Sequence, residues 1–246
     1  MVGGSREEML SRIRSALGTD RGRPPDAGSH SAASRTGNNQ AKQSKESIHI
    51  PRDVRRAALK DQFVSELTRI GGKVHLAQDP ESACLYLSEL IASTGNKSVV
   101  AWEETSRQSS SILSLLEAHG VRVIEDGEGT DRDLFLREAA RAGLGITGVD
   151  YALADTATLV LLSGKGRARS VSLLPPVHVA LLDSNKIVSG LDEFFSVCGY
   201  ESGSDGRNLP SAITFITGPS RTADIELTLV VGVHGPQELH VVLMES

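Results

Sequence analysis

Ser98-Val-Val-Ala-Trp-Glu-Glu-Thr-Ser-Arg-Gln-Ser-Ser-Ser-Ile-Leu-Ser-Leu-Leu-Glu-Ala-His-Gly-Val-Arg-Val-Ile124 decides the fold class. Ser98–Trp102 reads as a strand, Ser106–His119 as a helix and Val121–Ile124 as a second strand. A helix between two strands on short links is the unit that pairs strands in parallel, because a parallel neighbour needs a crossover connection. The reading extends toward the N-terminus. Pro80–Ser93 is a helix entered through Asp79 as N-cap with proline in the first turn. Lys73–Leu76 is a strand, and Arg52–Ile70 is a helix with Leu59, Phe63, Leu67 and Ile70 on one face and Gly71-Gly72 as its stop. Toward the C-terminus, Thr130–Ala142 is a further helix.

After Gly143 the pattern changes. Leu144–Val149, Ala157–Ser163, Ser170–Leu174, Val177–Leu182, Ile213–Ile216, Glu226–Val233 and Leu239–Met244 read as strands, and Ser189–Val197 as the one clear helix. Apolar runs such as Thr158-Leu-Val-Leu-Leu162 fit strands covered on both faces. The expected class is α/β: a Rossmann-like, mostly parallel sheet with extra C-terminal strands.

The body begins near Ile48. Before it, residues 1–18 form an expected N-terminal helix, with Ser5 and Glu8 as a capping box, Met9, Leu10, Ile13 and Leu17 as its apolar stripe and Gly18 at its end. From Gly18 to Ser47 there is no Val, Ile, Leu, Met, Phe, Trp, Tyr or Cys. Such a stretch buries too little apolar surface to offset its ordering entropy, so residues 19–47 read as a flexible linker and 48–246 as the folded domain.

Composition narrows the function. A net charge of −5 over 246 residues argues against nucleic acid as the main partner. The charge is uneven: residues 1–60 hold 12 Lys/Arg against 6 Asp/Glu, the remainder 14 against 25. A basic arm on an acidic body is either a docking device or a solvated tail. Cys84 and Cys198 are far apart and neither has a CxxC partner, so neither a cluster nor a metal is expected in this chain; two free thiols are the simpler reading. No stretch approaches 18 apolar residues and the opening segment lacks an apolar signal region, which makes the cytoplasm the expected location.

Polar groups gather at a few places. Gly143-Leu-Gly-Ile-Thr-Gly148 has the glycine spacing of a dinucleotide loop, but it follows a helix and runs into a strand; the glycines read as turn punctuation. Ser163-Gly-Lys-Gly-Arg-Ala-Arg169 packs three cations and two glycines between apolar segments, which makes Lys165 and Arg167 anion-binding candidates or the loop an ordinary hairpin tip. His178, behind Pro175-Pro176, and His234, ahead of Gly235-Pro236, are acid–base candidates. Asp155, Thr156 and Thr158 flank a strand entry. Gly218-Pro-Ser-Arg-Thr-Ala-Asp-Ile-Glu226 is the densest polar segment. There Gly218, Ser220 and Arg221 are candidate anion contacts, with Arg221 offering a bidentate fork. Asp224 and Glu226 alternate into an apolar strand, where a buried carboxylate needs a partner.

Gly145–Gly164, Arg169–His178, Gly218–Glu226 and Gly232-Val-His-Gly-Pro236, with the opening Arg6–Gly18, resemble the lactate-utilisation protein C family and its LUD domain. The likeness spans nearly the whole chain and is weakest over residues 19–50. It implies a fold like that of ribose-5-phosphate isomerase and the CoA transferases. It also implies a place in a three-protein system that oxidises L-lactate to pyruvate, in which the partners are iron–sulfur and cysteine-rich proteins and this chain carries no cofactor. One position departs from the family: where a Thr-Gly-Thr turn is usual, this chain has Ala157. The expected role follows: Arg221 clamps a small carboxylate, Asp224 or Glu226 anchors it or relays protons, and His178 or His234 serves as acid–base. Two other readings stand beside it, a non-catalytic assembly subunit docked through the basic arm, and an enzyme for a phosphorylated or CoA-linked substrate.

Overall fold

Apolar residues at most positions of the middle strands demand cover on both faces, and the computed structural model supplies it. It describes residues 51–103, 110–127, 129–198, 210–223 and 229–245. The helix expected over 1–18, the linker over 19–47, and Asp224 and Glu226 lie outside them.

In chain order the elements are α1 (Arg52–Arg69), β1 (Lys73–Ala77), α2 (Pro80–Thr94), β2 (Ser98–Trp102), α3 (Ser110–Ala118), β3 (Arg122–Asp126), α4 (Arg132–Arg141), β4 (Leu144–Gly148), β5 (Tyr151–Leu153), β6 (Thr158–Ser163), α5 (Ser170–Leu173), β7 (Val177–Asp183), β8 (Ile187–Val188), α6 (Leu191–Val197), β9 (Ala212–Ile216), β10 (Arg221–Ala223), β11 (Leu229–Val231) and β12 (Glu238–Met244). Six strands form the main sheet in the order β1-β12-β7-β4-β2-β3, and every pairing in it is parallel. A second sheet has the order β8-β5-β6-β9, and β10 pairs with β11 as an antiparallel ribbon.

The two-residue period of a strand sorts the core into layers. Along β2, Val99 and Ala101 join α2 and α3 through Leu87, Ile91, Ile112 and Leu116. Val100 and Trp102 face the other way and join α1, α4 and the second sheet through Phe63, Leu67, Phe135, Leu159 and Leu161. The mostly parallel sheet with additional C-terminal strands is therefore the observed architecture, the additional strands forming a sheet of their own.

Three expectations change. Ser170–Leu173 is a helical turn, not a strand. Val171 and Ser172 are buried side by side while Leu173 and Leu174 are exposed, a pattern that alternation cannot give. The glycines of 143–148 are more than punctuation. Gly145 lies inside β4, and a Cβ there would overlap the carbonyl oxygen of Val171, so the bare backbone is what lets α5 lie across the sheet. The last helix starts at Leu191, because Ser189 and Gly190 are taken up in the extended entry. The two- and three-residue strands β5, β8 and β10 carry too little pattern to be read from sequence.

Candidate functional site

His178 is the second residue of β7, and β4 lies alongside. Its Nε2 is 2.9 Å from the Thr147 Oγ1. Its Nδ1 is buried with no hydrogen-bond partner among the described residues. Burial pushes the imidazole down to about 3, so the ring is neutral at physiological pH. It therefore offers a hydrogen bond rather than a charge.

A cleft of about 220 Å³ opens beside it, at the amino ends of β7 and β12. Ser172, His178, Thr217, Gly218, Ser220 and His234 contribute its polar and turn-forming wall, with Phe215, Ile216 and Leu239 supplying apolar surface. Two turns hold each other across the mouth: the Ser220 N–H donates to the Pro236 carbonyl, and the Gly232 N–H to the Ser220 carbonyl, each at 2.9 Å. Gly218 takes a φ of 84°, which turns the chain away from the end of β9. His234 is exposed at the rim.

A line of hydroxyls runs to this cleft from the second sheet. The Thr158 Oγ1 lies 2.7 Å from the Thr217 Oγ1 and 2.9 Å from the Thr156 Oγ1, which donates to the Asp155 Oδ1 at 3.1 Å. Between the two threonines Ala157 is fully buried at a φ of 50°, the left-handed conformation expected at the turn where the family has glycine. Asp155 itself faces Gly190, where a Cβ would overlap its carboxylate.

The remaining sequence candidates lie elsewhere. The exposed Arg221 lays its guanidinium over Gly71, where a Cβ would overlap it, and is not part of the cleft wall. Arg167 turns inward: it pairs with Asp150 at 2.9 Å, donates to the Leu162 carbonyl at 3.1 Å and covers the Trp102 ring at 5.4 Å. Lys165 and Arg167 line a different and larger cleft at the carboxyl ends of β3 and β6. The fold thus brings Gly218, Ser220, His178 and His234 together, joins Thr158, Thr156 and Asp155 to them by hydroxyls, and separates Lys165 and Arg167.

Sequence reasoning missed Thr147 and Thr217, which carry no motif. It also missed a polar chain at the start of the sheet. Lys73 Nζ donates to the Glu238 Oε2 at 2.7 Å, His240 Nε2 meets the same oxygen at 2.8 Å, and the Tyr86 hydroxyl lies 2.6 Å from His240 Nδ1. His75 stacks on Tyr86 at 4.2 Å. The hydrogen bond from Lys73 is the main influence holding Glu238 below its usual range, and burial lowers His240. The signal was polar alternation, Lys73-x-His75 and Glu238-x-His240, at the entry of otherwise apolar strands. Both cysteines are free, and no described helix is long and apolar enough to cross a membrane.

A family model for the LUD domain matches residues 60–244. Lactate utilization protein C of Halalkalibacterium halodurans is 38% identical over 150 residues, 61% of this chain and 64% of that protein. The protein of the same name from Macrococcus caseolyticus is 40% identical over 150 residues, 61% of this chain and 62% of its own length. The one from Shouchella clausii is 36% identical over 187 residues, 75% of this chain and 80% of its own. The match therefore spans less than two thirds of the first two relatives. A solved structure of a DUF162 family protein from Deinococcus radiodurans shares the fold, with a TM-score of 0.53 at 19% identity over 77% of this chain and 98% of that one. With the family model matched over residues 60–244 and a relative 36% identical over 75% of this chain, the chain belongs to the LUD domain family.

Proposed function

We propose that this chain serves L-lactate utilisation by holding a small carboxylate in the cleft beside His178. The pathway rests on the similarity to proteins named lactate utilization protein C. The observation that carries the site is the buried Nδ1 of a neutral His178, without a hydrogen-bond partner among the described residues, in a cleft of about 220 Å³ that mixes hydroxyls with apolar wall. A neutral imidazole hydrogen-bonds to a hydroxyl or carboxylate oxygen, Ser220 and Thr217 offer hydroxyls, and the apolar wall takes a methyl group. Thr158 orients Thr217. His234, exposed at the rim, is the second acid–base candidate in this reading. Arg221 follows Ser220 in the chain but lies over Gly71, so the carboxylate is held here without it.

Oxidation of L-lactate to pyruvate releases two electrons and two protons. In this reading the electrons leave through iron–sulfur and cysteine-rich partner proteins, and this chain binds and orients. Deleting the gene in its host tests the role. Growth on L-lactate as sole carbon source should fail and return with the wild-type copy; undiminished growth would remove the pathway assignment. A second reading, an assembly subunit, draws on the basic surplus of residues 1–60. Co-purification of partners by a chain lacking residues 1–47 separates the two, since an assembly arm predicts loss of the complex.

A further inference from the structure

The larger cleft has features that a lactate site does not need. Ser163 and Ser170 carry buried hydroxyl oxygens with no hydrogen-bond partner among the described residues, and both line this cleft of about 760 Å³. Ser163 is only 6% exposed. A buried hydroxyl left unpaired destabilises the fold, so two in one cleft call for a ligand that brings acceptor oxygens.

The surroundings give that ligand a charge. Arg132, at the first turn of α4, and Lys165 and Arg169, in the loop after β6, are exposed cations in the cleft wall. Asp126 is the acidic member, and its Oδ2 already accepts from the Ala168 N–H at 2.7 Å. The loop is held in place: the Glu103 N–H donates to the Gly166 carbonyl at 3.1 Å, and Gly166 takes a φ of 70° with no room for a Cβ beside Glu103.

Topology agrees. The chain steps from β2 to β3 on one side and then crosses back to β4 on the other, so the sheet reverses direction at β2. Open α/β sheets bind ligands outside the carboxyl ends of their strands at such a reversal. Asp126, which ends β3 next to that reversal, lines the cleft.

We propose that this cleft is a second anion site that takes the phosphoryl or diphosphoryl group of a small phosphorylated molecule. The ligand oxygens accept from Ser163 and Ser170 and face Arg132, Lys165 and Arg169. A tetrahedral group presents acceptors in several directions, which suits donors spread over floor and rim, and the volume leaves room for the molecule that carries it.

The test is calorimetry on the full-length chain with sodium pyrophosphate and inorganic phosphate, against acetate at matched ionic strength. Pyrophosphate should bind at least about tenfold more tightly than acetate, and Ser163→Ala and Arg169→Ala should each weaken it about tenfold. Ser220→Ala, in the other cleft, should leave pyrophosphate binding unchanged, so this site can fail or stand without the lactate reading. Pyrophosphate binding no tighter than acetate, or unchanged in both Ser163→Ala and Arg169→Ala, overturns the proposal. Ser163→Ala only removes an unpaired oxygen; if it nonetheless fails to fold, the exposed Arg132→Ala takes its place with the same expected loss.

Discussion

The Nε2 of His178 and the Oγ1 of Thr147 stand 2.9 Å apart between adjacent parallel strands, and the opposite ring nitrogen has no partner among the described residues. The sheet therefore holds one ring nitrogen of the imidazole, and the proposed carboxylate site rests on the other.

This arrangement makes stability depend on pH in a defined direction. The ring titrates near its ordinary 6.5 in the unfolded chain but only at about 3 in the folded one. Above pH 6.5 both states are neutral and the contribution is complete; as pH falls toward about 3 the unfolded chain takes up a proton that the folded chain refuses, and stability falls. Denaturant unfolding at pH 7 and 4.5 should show His178 accounting for about 2 kcal/mol of the difference. In His178→Gln that share of the acid loss should vanish; an identical pH dependence in both proteins would show that the ring is charged or hydrated.

Gly145 is inside a central strand because a helix backbone lies on it. Gly145→Ala would drive a methyl into the Val171 carbonyl. The variant should lose at least about 2 kcal/mol, read as a lower melting temperature. A melt within one or two degrees of wild type would mean that α5 lifts away easily.

Ala157 tests the turn that feeds the hydroxyl line. Its φ of 50° is strained for alanine, but its methyl is fully buried. Ala157→Gly relieves the first and loses the second, so stability should move by less than about 1 kcal/mol. Ala157→Val adds bulk at the same left-handed backbone and should cost more than about 2 kcal/mol. Equal effects would deny the turn its conformation.

Gly71 and Arg221 should couple. Gly71 has a φ of 87° and lies under the guanidinium of Arg221. Gly71→Ala carries both a backbone cost and an overlap, and adding Arg221→Ala removes only the overlap. A double-mutant cycle should give a coupling of about 0.5 kcal/mol or more. Additive effects would mean that the arginine moves aside at no cost.

The main sheet was legible in the sequence because parallel strands covered on both faces must be apolar nearly throughout, and Ser98–Trp102 and Val177–Leu182 are nearly so. The helix at Ser170–Leu173 was not, because four residues with two apolar side chains fit either period. Which polar groups meet was harder still. Gly218 and Ser220 share a short segment and a cleft, but Arg221, the next residue, turns to Gly71, a choice made by the β10–β11 ribbon rather than by any local pattern. His178 was visible as a histidine behind two prolines; its partner Thr147 lies 31 residues away and met it only through the pairing of β4 with β7.

Titrating the full-length chain with L-lactate and with pyruvate, in a calorimeter, tests the cleft beside His178 most directly. The wild-type chain should bind one or both, and Ser220→Ala and His178→Gln should each weaken binding about tenfold while still folding. Binding to the wild type that neither substitution changes, or no binding at all, would contradict the assignment of this cleft to a small carboxylate.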